Sequence, residues 1–284
     1  MMPCNIFARI MESLYKNFNI LPDAEITIEA NPGTIEDARL REFINFGANR
    51  VSIGVQSFDD ARLKFLGRIH SADDARRLLD SALESRVRVS GDFIYGLPGD
   101  TADYVKKLCT EINNTGIKHC SMYELTIEPN TPFGKMNLTM PDNEQMADMY
   151  TAIQENLNLP RYEVSNYAAP GQECRHNQNV WDGAPYIGIG EGAAGRIFLD
   201  GKWFEEMGCG VKFEPISLRE RAIERVITGM RTMRGVLVDD DVKKIINIVF
   251  AKSNPDMLRF DGNRLSATDN GILVLDDLIP KLVV

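Results

Sequence analysis

Four runs along the chain are rich in apolar and small residues, and each meets a polar or charged side chain as it ends. They are EITIEANP, RVSIGVQS, VRVSGDFIYGLPG and HCSMYELTIEPN. Each reads as a buried strand, and helical patterns lie between them. Near the N-terminus Ile6, Phe7, Ile10, Met11, Leu14, Tyr15 and Phe18 recur at a helical period, with Arg9, Glu12 and Lys16 on the other face. An amphipathic helix packed on a sheet is predicted there, not a signal peptide, which needs an unbroken apolar centre. Thr34 is expected to cap a helix that stops at Gly47, Asp59 begins a short one, Ser71 one with an acidic first turn, and Thr101 one closed by Gly116. Strands joined by helices of this length pair in parallel through right-handed crossovers, which predicts an α/β fold with a curved, sequentially ordered sheet. Polar groups at the C-terminal ends of such strands share one rim, the ligand side of β/α barrels. Here they are Glu29 and Asn31, Gln56 and Ser57, Asp92, and then Tyr123, Glu124 and Glu128.

After PNTPFG the texture changes. Asp142 is a predicted cap for a further helix, and Ser217 with Glu220 forms a capping box before LRERAIERVITGMRTM. DDDVKKIINIVFAK reads as another helix, followed by a hairpin around DGN and a final helix. We expect two domains, residues 1–214 and 215–284, the second helical and winged-helix-like.

The length of 284 residues suffices for a full core. A net charge of −9 argues against non-specific nucleic-acid binding, which needs clustered Lys and Arg to neutralise phosphates. No apolar run approaches the roughly 18 residues of a membrane span. Cys4, Cys109, Cys120, Cys174 and Cys209 are odd in number, scattered and without CxxC or CxxxC spacing. That pattern fits free thiols in a reducing cytoplasm and excludes a local three-cysteine metal or iron–sulfur motif.

Several residues carry chemistry. Glu29 precedes Ala-Asn-Pro, where the proline stops further pairing and holds the residue before it extended; Glu29 either accepts a ligand ammonium or caps the next helix. Gln56 puts an uncharged donor-acceptor where an apolar residue is expected. Arg68 either holds a carboxylate bidentately or is a solvated helix-end cation. Asp92 interrupts a strand, and a buried carboxylate requires a hydroxyl or cationic partner. His70 and His119 lie at element ends and read as structural. His176, crowded by Arg175, Asn177, Asn179 and Trp181, is either a haem-iron ligand with the indole as a flat wall, or a satisfied loop histidine. Gly188, Gly190, Gly192 and Gly195 do not open a βαβ unit at the first strand, so a dinucleotide loop is a weak reading.

IEANPGT, RVSIGVQSF, LGRIH, DFIYGLPG, LTIEPNTPF, YEVSNYA, CRHN and YIGIG stand in an order that resembles the radical SAM family of oxygen-independent coproporphyrinogen III oxidases, and within it the haem-chaperone, HemW-like branch. The resemblance covers nearly the whole chain. It implies an open (β/α)6 partial TIM barrel with S-adenosylmethionine over the strand ends beside a 4Fe–4S cluster. By position, it implies that Glu29 faces the methionyl amine, Arg68 pairs with the carboxylate, Gln56 and Asp92 lie near the ribose, and Thr126 lies beside the adenosyl part. His176 and Trp181 match the family's haem-binding element.

The chain also departs from the family. The CxxxCxxC loop and the GGGTP strand end are absent, Val180 stands for a tyrosine and Ala194 for a histidine. We expect a truncated barrel lacking its first two strands, through a late start or a disrupted gene model. It keeps half of the cofactor pocket, has no cluster ligands and does not cleave S-adenosylmethionine. ITIEA then becomes an open edge prone to self-association. The expected function is that of a haem-chaperone-like protein binding haem and S-adenosylmethionine and delivering haem to an acceptor protein. Oxidative decarboxylation of coproporphyrinogen III and a catalytically dead interaction scaffold are the alternatives.

Overall fold

The computed structural model describes residues 2–35, 37–208 and 212–284, so Cys209 lies outside the described residues. Two compact units emerge: Met1–Arg161 with Ser165–Glu173, and Tyr162–Val164 with Cys174–Val284. The boundary expected near residue 214 falls inside the second unit.

The first unit runs α1 (Cys4–Asn17), β1 (Thr27–Ala30), α2 (Asp37–Asn45), β2 (Arg50–Gln56), α3 (Asp60–Phe65), α4 (Ala72–Glu84), β3 (Arg88–Tyr95), α5 (Ala102–Thr115), β4 (His119–Glu124), α6 (Asn143–Asn156) and β5 (Asn166–Ala168). Its sheet has the order β1-β2-β3-β4-β5. The first four strands are parallel and sequential, as the helix-strand alternation predicts. The antiparallel β5 was not anticipated; RYEVSNYA is too short and too polar to announce a strand, and it is fixed by pairing with β4.

Local chemistry sets the helix ends. The Asp59 carboxylate accepts from Arg62 N at 3.0 Å, Thr101 Oγ1 accepts from Tyr104 N at 3.3 Å, and Ser71 with Asp74 forms a reciprocal capping box. Gly116 ends α5 in the left-handed region at φ 78°. Thr34 is the exception. Its hydroxyl donates to Asn31 O in a turn, and α2 is described from Asp37 onward.

Side chains alternate along the strands with a period of two. Val51, Ile53 and Val55 of β2, Val89 and Phe93 of β3, and Cys120 and Met122 of β4 enter the core with Leu78 and Leu79 of α4 and Leu108 and Ile112 of α5. The intervening positions are polar: Arg50 and Ser52, Arg88, Ser90 and Asp92, His119 and Ser121. The sheet therefore has an apolar side against the helices and a polar side.

The second unit contains α7 (Arg175–Trp181), then β6 (Ala194–Leu199), β7 (Lys202–Met207) and β8 (Lys212–Ile216) in a three-stranded antiparallel sheet. That sheet is also absent from the sequence reading, although Asp200 and Gly201 carry a signal for it. Both have positive φ, 50° and 76°, the conformation of a tight two-residue hairpin. Next come α8 (Leu218–Gly229), β9 (Val236–Leu237), α9 (Asp240–Lys243), α10 (Ile248–Ser253), β10 (Leu258–Asp261), β11 (Arg264–Ala267), α11 (Asp269–Ile272) and α12 (Leu275–Leu282). The Ser217 capping box and the hairpin at Gly262 appear as expected. DDDVKKIINIVFAK is two helices instead of one, because the Asn247 side chain accepts from Phe250 N and starts a new one. No helix among the described residues is long and apolar enough to cross a membrane.

Candidate functional site

The polar side of the first unit's sheet is built from rungs. In the first, Glu29, Ser52, Ser90 and His119 stand opposite one another on β1 to β4; in the next, Asp92 faces Ser121, and Ser121 faces Asn166. Hydrogen bonds tie the rungs together. Ser52 Oγ donates to Asp92 Oδ2 at 2.8 Å, Ser90 Oγ to Asp92 Oδ1 at 3.3 Å, and Ser121 Oγ to Asn166 Oδ1 at 3.0 Å. The hydroxyl partners required for Asp92 are thus serines of the chain itself. Burial still raises the Asp92 pKa, against the lowering effect of those hydroxyls and of Arg50. His119 Nδ1 lies 2.7 Å from Ser90 Oγ, and burial with the nearby Arg50 and Arg88 cations pushes its pKa down to about 3. It is neutral at physiological pH, a structural histidine as read from the sequence.

These serines were missed as site residues. A signal exists, since RVS occurs at the start of both β2 and β3, and the register aligns Arg50 with Arg88 and Ser52 with Ser90.

Gln56 ends β2 at a register shift, with φ at 65° and its side chain buried. A non-glycine residue in the left-handed region carries strain that surroundings must hold. A Cβ on Gly54 would lie 2.8 Å from both Asn31 Oδ1 and Gln56 Nε2. The missing side chain lets the two amides converge over the ends of β1 and β2. Glu29 is exposed, and among the described residues its carboxylate makes no hydrogen bond or ion pair, so it does not cap α2. Glu29, Gln56 and Asp92 therefore lie on three adjacent parallel strands. Arg68 is half-buried in the loop after α3, and its side chain is likewise unbonded among the described residues; Thr126 is exposed just beyond β4. Neither is tied to the other three.

The groups gathered at the strand ends fit polar portions of S-adenosylmethionine: an unpaired carboxylate for an ammonium, and amides for hydroxyl or ring-nitrogen groups. They do not fit an iron–sulfur cluster. Cys109, Cys120 and Cys174 are buried, burial pushes the Cys109 thiol up to about 12, and no group of three His, Cys, Asp or Glu among the described residues is arranged to hold a metal.

In the second unit, His176 is exposed in the first turn of α7. Trp181 lies about 140° around that helix. Its ring packs beside Tyr162 with centroids 6.1 Å apart.

Comparison with known proteins agrees with this architecture. Residues 5–112 match the model of the Radical SAM superfamily. The chain is 36% identical over 260 residues to the heme chaperone HemW of Synechocystis sp., covering 83% of this chain and 63% of that protein. It is 30% identical to the heme chaperone HemW of Lactococcus lactis, covering 97% and 79%. The chain thus spans less than two thirds of the length of the Synechocystis relative. Among solved structures, coproporphyrinogen III oxidase (HemN) from Escherichia coli superposes with a TM-score of 0.77 at 17% identity, over 98% of this chain and 74% of that one. That likeness concerns the fold, a mixed α/β radical SAM architecture with a parallel sheet. With its ordered strand-end motifs, polar rungs and HemW relatives, the chain belongs to the HemW-like family of radical SAM proteins.

Proposed function

We propose that the chain is a haem-chaperone-like protein that binds S-adenosylmethionine at the strand-end rim and haem in its second unit, and passes haem to an acceptor protein. One observation carries the reading. In a HemW-like chain, Glu29 is left exposed and unpaired on β1, beside the β2 strand that bears Gln56 and one strand removed from the β3 strand that bears Asp92. Glu29 would receive the methionyl ammonium, Arg68 the carboxylate, and Gln56 and Asp92 the ribose side, with Thr126 at the adenosyl part. The serine partners of Asp92 leave it a limited share of that contact. His176 would hold haem iron through its imidazole, and Trp181 would offer an aromatic face to the macrocycle. Haem, when bound, would supply a planar apolar macrocycle and an iron that accepts a nitrogen ligand; the chain would supply the imidazole. Because its described residues do not fit a cluster, no radical step is assigned here. Scattered free thiols support a reducing, cytoplasmic setting. The β1 edge, paired only with β2 among the described residues, supports self-association.

The test is a haem titration followed at the Soret band in the wild type and in His176→Ala, with S-adenosylmethionine binding measured by calorimetry in the wild type and in Glu29→Gln. A Soret shift lost in His176→Ala and an enthalpy lost in Glu29→Gln are expected. Identical haem spectra and affinities sink the His176 assignment, and absence of S-adenosylmethionine binding sinks the rim.

A further inference from the structure

Gln56 is strained, and a chain of contacts behind it accounts for how it is held. Ser57 is fully buried; its N–H donates to Val55 O at 2.8 Å, closing a tight turn around Gln56. Ser57 Oγ accepts from Asp59 N at 3.1 Å and lies 3.2 Å from Tyr104 Oη on α5. The Arg62 guanidinium stacks over the Tyr104 ring, 3.9 Å from its centroid. Arg62 in turn makes a two-pronged ion pair with Asp100, at 2.5 and 2.6 Å. Asp100 is buried in the loop after β3 and accepts from Leu97 N at 2.9 Å. The Arg62 Nε atom is buried with no partner, so this guanidinium is held by stacking and by the Asp100 fork alone.

A buried, bidentate Arg–carboxylate pair with a stacked aromatic is rigid, since the planar fork fixes both partners' orientation. Its parts come from three places: α3, the loop after β3, and the first turn of α5. Two polar routes lead from this assembly to Ser57 at the end of β2: the Tyr104 hydroxyl contact, and the Arg62 N–H to Asp59 carboxylate bond continued by Asp59 N–H to Ser57 Oγ.

We propose that Asp100, Arg62, Tyr104 and Ser57 are positioning residues that hold Gln56 in its left-handed conformation and aim its amide at the strand-end rim. The inference rests on the reading of that rim as the S-adenosylmethionine site. Asp100 acts at a distance: it fixes Arg62, Arg62 fixes the Tyr104 ring, and the Tyr104 hydroxyl fixes the turn. None of the four touches the ligand.

The test uses Tyr104→Phe, which keeps the ring under Arg62 and deletes one oxygen, with Ser57→Ala as the reciprocal deletion and Asp100→Asn as the stronger break. Amide hydrogen exchange is followed by mass spectrometry across residues 50–60 in the ligand-free chain, with β3 and β4 peptides as internal references. S-adenosylmethionine affinity is measured in parallel. Exchange about tenfold faster at 55–58 in Tyr104→Phe, with β3 and β4 unchanged and affinity about fivefold weaker, is the expected result for loss of one buried hydrogen bond. Unchanged exchange in Tyr104→Phe and Ser57→Ala overturns the proposal. So does faster exchange with unaltered affinity in a chain whose Gln56→Ala variant has lost binding. If the wild type binds no S-adenosylmethionine, the rim assignment fails, and the exchange measurement still decides whether the four residues hold the turn.

Discussion

At the scale of single residues, the polar side of the sheet makes stability depend on pH through groups with opposite signs. His119 has a folded-state pKa pushed down to about 3, below its ordinary value of 6.5. Its contribution is fully present above pH 6.5 and is lost as pH falls toward 3, because the unfolded chain takes up the proton first. Asp92 runs the other way. Burial raises its pKa above 3.8, so the folded state favours the protonated carboxyl, and stability from this group declines as pH rises through that window. The larger His119 effect, a few kcal/mol in order of magnitude at 1.36 kcal/mol per unit, should dominate on the acid side. Urea midpoints measured from pH 7 to pH 4 should fall in the wild type and fall much less in His119→Gln. Parallel curves would mean that another group carries the acid sensitivity. Gly54 gives a second prediction. Gly54→Ala pushes a methyl into Asn31 Oδ1 and Gln56 Nε2, both 2.8 Å from the ideal Cβ position. Both are side-chain ends, so the fold should survive while S-adenosylmethionine affinity drops at least about tenfold by calorimetry, as expected when paired polar contacts are displaced. Retained affinity would show that the two amides are not ligand contacts.

At the scale of elements, capping chemistry was the most legible part of the sequence and strand pairing the least. Asp59, Ser71, Thr101, Asp142 and Ser217 all start helices as expected, because a cap is a contact within three residues of chain. Ser71→Ala should cost about 1 kcal/mol in urea unfolding, within the usual range for cap removal. A loss below about 0.3 kcal/mol would mean that the reciprocal Asp74 bond already holds the end. The Thr34 hydroxyl donates to the Asn31 carbonyl. β5 and the β6–β8 sheet were invisible because their stability comes from partners: β5 from β4, and β6 to β8 from one another and from α8. Arg196 of β6 pairs with Glu224 of α8 at 2.8 Å, and Arg221 of α8 lies over the Trp203 ring of β7 at 4.4 Å. Only the Asp200–Gly201 turn was readable in advance. At the candidate site, Glu29, Gln56 and Asp92 were legible as polar interruptions of strands. The serine rungs were not, because serine at a strand position is chemically unremarkable until register sets it against a carboxylate.

At the scale of the whole molecule, the questions concern assembly and the ligands bound. The β1 edge predicts a sedimentation coefficient that rises with concentration in the micromolar range. An added Lys at Thr27 should suppress the rise, since charged edge positions oppose strand addition. A concentration-independent monomer would show that the edge is protected. The isolated chain, with no cluster site among its described residues, should release no 5′-deoxyadenosine from S-adenosylmethionine under reducing conditions; detection of that product by mass spectrometry would contradict this. Binding measurements are therefore the informative ones, and the haem and S-adenosylmethionine titrations can be read separately.

The twisted backbone at Gln56 sets up a tension between durability and purpose. Asn tolerates the left-handed region better than Gln does, since its short amide bonds locally. Gln56→Asn should therefore relax the torsion and slightly toughen the protein against heat, yet leave its amide one methylene short of the rim. A hardier variant that grips its nucleoside less well is the signature of a residue kept for reach and not for comfort.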